Sequence, residues 1–140
     1  MNILPGEFQA RRERLLDHLH AEGLSGAVLF DNYYILYLTG FAFIPTERPV
    51  AFIINAGGDT AMFVPRLEVE HARSMTGFER VASYLEYPDD PHPMELLKQS
   101  LVEMGVSQTI GVDTDGYPWI LGYRGAPLSE LTGTQVRRIG

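Results

Sequence analysis

Continuous apolar runs that alternate with segments of helical periodicity predict an α/β fold, a mixed and mostly parallel sheet with one early antiparallel hairpin and helices on both faces. The runs 26–31 (GAVLFD) and 109–113 (TIGVD) are short and mainly apolar, each ending in an aspartate, as strands covered on both faces would be. Two other runs, 49–55 (PVAFIIN) and 60–64 (TAMFV), flank Ala56-Gly57-Gly58-Asp59, a turn composition that makes them an antiparallel hairpin. Between such runs, apolar residues recur every three or four positions, the period of helices lying on a sheet.

The elements follow in order. Phe8, Leu15, Leu16 and Leu19 define the apolar face of a first helix, with Arg11, Arg12, Arg14 and Asp17 on much of the remainder and Gly23 as its stop. After the first strand comes Tyr33-Tyr34-Ile35-Leu36-Tyr37-Leu38-Thr39-Gly40-Phe41, in which Tyr33 and Tyr37 form an i, i+4 pair expected to pack one helical turn against the sheet. The hairpin is followed by a short helix over 66–75 and a strand within 78–84. Residues 84–93 contain three prolines and Asp89-Asp90, which makes them a surface connection. Asp90 caps the next helix, whose face carries Met94, Leu97, Leu101 and Met104 and which Gly105 closes. The strand at 109–113 and a last one at 136–139 complete the sheet.

With 140 residues the chain fits one domain and can bury a core of its own. Lys plus Arg (11) against Asp plus Glu (18) gives −7, which argues against nucleic acid or an anionic membrane as partner. The absence of cysteine removes disulfides, thiolate catalysis and cysteine-ligated metal sites, and fits a cytoplasmic location. No export signal opens the chain, and no stretch approaches the ~20 apolar residues of a membrane span.

Catalytic signatures are scarce. His18, His20, His71 and His92 fall in no metal-ligand pattern, and no GxGxxG, P-loop or GxSxG occurs. Asp113 and Asp115 form a DxD before Gly116; as a strand-to-turn cap the pair needs no metal, and no His or Glu cluster accompanies it. Asp31 and Asp113 at strand ends would be the carboxylates of a nuclease reading, which a basic surface would have to accompany. Trp119 is read as packing or interface. The loop 41–48 (FAFIPTER) brings apolar residues, a proline and the charged pair Glu47-Arg48 outside regular elements, where binding groups often sit.

The order of these segments, from the YLTGF motif through ERPVAFIINAGGDTAMFVPRLEVEHA to TIGVDTDG, resembles the N-terminal domain of the creatinase and prolidase family, which includes Xaa-Pro aminopeptidases and dipeptidases. The resemblance implies a ribonuclease-H-like fold for a single domain over 1–140. It places a separate pita-bread catalytic domain after residue 140, where two Asp, one His and two Glu hold two divalent metal ions, manganese, cobalt or zinc. No cofactor is expected in this chain, which alone is expected to be inactive. The implied partners are its own C-terminal catalytic domain, a second copy in a homodimer and a short proline-containing peptide substrate. Arg48, with Phe41 nearby, is then the candidate substrate-binding residue, directed toward the partner subunit; a planar guanidinium suits a substrate carboxylate. A salt bridge of Arg48 with Glu47 or another acid is the structural alternative. The alternatives for the whole are a free-standing binding or interaction module and the N-domain of a creatinase-like amidinohydrolase.

Overall fold

In the computed structural model, which describes residues 5–41, 50–65, 68–73, 80–84, 93–107, 109–112 and 135–139, the apolar runs form one six-stranded sheet. The strands are β1 (Gly26–Leu29), β2 (Ala51–Asn55), β3 (Thr60–Pro65), β4 (Arg80–Tyr84), β5 (Thr109–Val112) and β6 (Gln135–Arg138), ordered β4-β3-β2-β1-β5-β6. Hairpin β2–β3 is antiparallel, with Ile54 opposite Thr60. A second antiparallel pair stands beside it, since β1 meets β2 with Gly26 opposite Asn55 and Leu29 opposite Phe52. The pairs β1–β5, β3–β4 and β5–β6 are parallel.

Both faces of the sheet are covered. On one, α4 (Pro93–Glu103) and the turn after it set Leu97, Leu101 and Met104 against Val28, Ile53, Phe63 and Ile110. On the other, α1 (Pro5–Glu22), α2 (Asn32–Thr39) and α3 (Val69–Arg73) contribute Leu19, Ile35, Leu38 and Ala72 against Ala27, Leu29, Phe52 and Met62. Val28 and Leu29 therefore serve opposite cores, as the period of two in a strand requires. A strand whose four residues are all buried must read as an unbroken apolar run, and β1 does.

Gly26 opens β1 where two backbones meet closely. A Cβ there would lie 2.5 Å from the carbonyl oxygen of Ile54 and 2.9 Å from Cγ2 of Val106, so any side chain would force the strand from its register. The hairpin is locked by Asn55: its Oδ1 accepts from Gly57 N at 3.0 Å and Asp59 N at 2.9 Å, while its Nδ2 donates to Met104 O at 2.9 Å. One side chain thus closes the turn and ties it to the end of α4.

Candidate functional site

The aromatic segment begins with a cap. Asp31 has extended backbone angles, and its carboxylate accepts from Tyr33 N at 2.8 Å and Tyr34 N at 3.4 Å, satisfying donors that the first turn of α2 leaves unpaired. Ile35, Leu38 and Thr39 face inward, while Tyr33, Tyr34, Leu36 and Tyr37 are exposed, Tyr33 at 76%. The expected packing of Tyr33 and Tyr37 against the sheet is therefore corrected. At 3.6 residues per turn, the stripe that carries Ile35 and Leu38 leaves positions 33 and 37 on the far side of the helix.

The end of α2 accounts for the YLTGF motif. Gly40 takes the left-handed φ of 78° and its N–H donates to Leu36 O at 2.9 Å, closing the helix. The hydroxyl of Thr39, 2% exposed, donates to Ile35 O at 2.7 Å and accepts from Phe41 N at 3.0 Å. The next two carbonyls are met from α1: Arg11 Nη1 donates to Tyr37 O and Arg12 Nη1 to Leu38 O, both at 2.8 Å. Two guanidinium groups at the negative end of a helix add a favourable charge–dipole term.

Arg11 is held further. Its guanidinium lies 4.1 Å from the centroid of the Tyr37 ring and 5.5 Å from that of Phe8, and it pairs with Glu7 at 3.3 Å. Arg12 is half-buried, and desolvation pushes its pKa below the ordinary arginine value, with Glu13 acting in the opposite direction. Neither arginine belongs to a simple solvent face. Positions 8, 11, 12, 15, 16 and 19 share one stripe by their i, i+3, i+4 spacing, which is the signal in the sequence that placed Arg11 and Arg12 beside the apolar residues.

Between α1 and α2 a cleft of about 240 Å³ opens. Arg11, Arg14 and Leu15 line it from α1, and Tyr34, Tyr37 and Leu38 from α2. Leu29 of β1 and Ile139, just beyond β6, add to its apolar lining.

Phe41 is fully buried in the core shared with Leu38 and Val50, so in this chain its side chain has no surface to offer a substrate. An aromatic residue directly after a helix cap, with an apolar strand soon following, is as consistent with a core anchor as with a binding group. Arg48 lies outside the described residues, as do Asp113, Asp115, Trp119, Asp89, Asp90 and His92. Asp31, one carboxylate of the nuclease reading, serves as the cap of α2. His18 is exposed, and His20 Nε2 donates to Ala56 O at 2.7 Å, joining α1 to the hairpin turn. Among the described residues, no group of three His, Asp or Glu is placed to hold a metal ion, so no donor set there fits a dinuclear centre. No described helix is long and apolar enough to cross a membrane.

The arrangement is shared with known proteins. A model of the creatinase/prolidase N-terminal domain matches residues 11–124. An uncharacterized peptidase of Staphylococcus saprophyticus is 31% identical over 74 residues, 53% of this chain and 21% of that protein. A proline dipeptidase of Streptococcus pneumoniae superimposes with a TM-score of 0.72 at 29% identity, covering 91% of this chain and 87% of the other. The creatinase/prolidase N-terminal domain of an X-Pro dipeptidase of Streptococcus pyogenes gives a TM-score of 0.73 at 26% identity and covers 93% of both chains. The chain spans about a fifth of the length of the curated relatives it matches, and about a third of several longer dipeptidase structures. A family match over most of the sequence and an equivalent sheet in the solved domains agree: the chain belongs to the creatinase/prolidase N-terminal domain family.

Proposed function

We propose that this chain is the N-terminal domain of a metal-dependent Xaa-Pro peptidase of the dipeptidase type, providing dimer contacts and one wall of the substrate pocket while a C-terminal domain carries the chemistry. The observation that carries this reading is the end-to-end superposition on the N-terminal domain of the S. pyogenes X-Pro dipeptidase, 93% of each chain. The two divalent metal ions, manganese, cobalt or zinc, belong in this reading to that C-terminal domain. A chain without cysteine suits a cytoplasmic enzyme acting on short proline-containing peptides.

Within this domain Arg48 is the residue proposed to meet the substrate carboxylate, from one subunit toward the pocket of its partner. Phe41 and Val50, on either side of segment 42–49 in the sequence, are both buried.

The test is kinetic. Joined to its catalytic domain and supplied with manganese or cobalt, the protein hydrolyses an Xaa-Pro dipeptide, and Arg48→Ala lowers kcat/KM by roughly 10- to 100-fold, the worth of a hydrogen-bonded charge pair. The 140-residue chain by itself leaves the dipeptide intact. Metal-dependent turnover by that chain alone would overturn the division of labour, and an unchanged kcat/KM would remove Arg48 from the pocket.

A further inference from the structure

We propose that the cleft between α1 and α2 is a binding site for a small carboxylate with an apolar body of about one ring. Its volume of about 240 Å³ falls just below the ~300–1,000 Å³ of pockets that enclose drug-sized ligands, which sets the ligand at one aromatic ring or a branched aliphatic chain. The apolar lining comes from Leu15, Leu29, Leu38 and Ile139, and Leu29 and Leu38 are each buried at 5% exposure or less. Transfer of a hydrocarbon group onto such a surface releases water at both partners.

The walls are Tyr34 and Tyr37, i, i+3 on α2 and 41% and 47% exposed. These rings present faces and edges to a ligand ring. Tyr37 is also held from α1. Arg11 stacks on its ring and bonds its carbonyl, and Arg12 bonds the carbonyl of Leu38. A wall fixed before binding loses little entropy when the ligand arrives.

Charge selects the ligand class. Arg11 is committed to Glu7, to the Tyr37 carbonyl and to the Tyr37 ring. Among the described residues, Arg14, on the same rim, makes no ion pair or hydrogen bond. Of the two arginines that line the cleft among the described residues, that guanidinium is the one left to recognise an anion, and its fork matches a carboxylate. An apolar surface beside an unused planar cation is the complement of an aryl- or alkyl-carboxylate. This site does not depend on the peptidase reading.

The experiment is a titration of the 140-residue chain with 3-phenylpropionate and, separately, with its neutral counterpart 3-phenylpropanamide, followed by backbone amide NMR shifts. Saturable shifts at Leu29, Tyr34, Tyr37, Leu38 and Ile139 are expected with both, and the acid binds about three- to fivefold more tightly, the range of an exposed ion pair. Arg14→Gln, at an exposed position, removes that preference, so that acid and amide bind alike, whereas Tyr34→Ala weakens both ligands. Absence of saturable shifts at these residues at millimolar ligand overturns the proposal. So does equal affinity for acid and amide, or an acid preference that survives Arg14→Gln.

Discussion

Arg11 and Arg12 show how much a single side chain can hide from the sequence. As letters, three arginines in positions 11, 12 and 14 describe the wet side of an amphipathic helix. Their partners are two backbone carbonyls 26 residues downstream, and no residue type announces which carbonyls a helix end will leave unpaired. The spacing 8, 11, 12, 15 did contain the warning, because it sets both arginines on the apolar stripe. Arg12→Met keeps the aliphatic stem and removes the guanidinium, which leaves the Leu38 carbonyl without its partner in a half-buried setting. Urea unfolding should show a loss of about 1–2 kcal/mol for this variant, and a change below about 0.5 kcal/mol would mean that water replaces the arginine freely. Phe41 is the opposite case. Its place in a surface loop read as a binding position, yet it closes the core, because chain order alone does not say which residue of a loop stem turns inward.

Among the elements, the strands were legible and α2 was only half so. Short apolar runs such as those of β1 and β5 leave little choice once helices cover both faces, and the Asn55 turn is written in local composition. The orientation of α2 was not legible, since an eight-residue helix with apolar or aromatic residues at nearly every position has no polar face to fix its rotation. What fixes it is the pair of ends: Asp31 at the start, Thr39, Gly40 and two arginines at the finish. These ends should differ in cost. Asp31→Ala removes a cap at the surface and should destabilise by about 1 kcal/mol. Thr39→Val preserves shape but removes the buried hydroxyl that bonds the Phe41 amide and the Ile35 carbonyl, at about 1–3 kcal/mol. Denaturant midpoints of the two variants in one series decide the order, and a larger loss for Asp31→Ala would show that the helix is anchored from its front end.

At the scale of the whole molecule, one sheet serves two cores, and neighbouring residues of β1 feed opposite sides of it. Leu101→Ala on one side and Leu19→Ala on the other should each cost about 2–5 kcal/mol, a large part of the ~5–15 kcal/mol that domains of this kind possess. Because both layers share the same strands, circular dichroism and tyrosine fluorescence should report one coincident urea transition in either variant; two separated transitions would mean that the layers melt independently. The strand order also has a consequence during synthesis. Strands β1 to β4 are adjacent in space as well as in sequence, and they are finished by Tyr84. The partner for the other edge of β1 begins only at Thr109, so a nascent chain of intermediate length presents an open row of backbone donors and acceptors flanked by apolar side chains. Translation pausing in that interval would expose a template for pairing between chains, and its shelter until β5 emerges would fall to the ribosome surface or a chaperone.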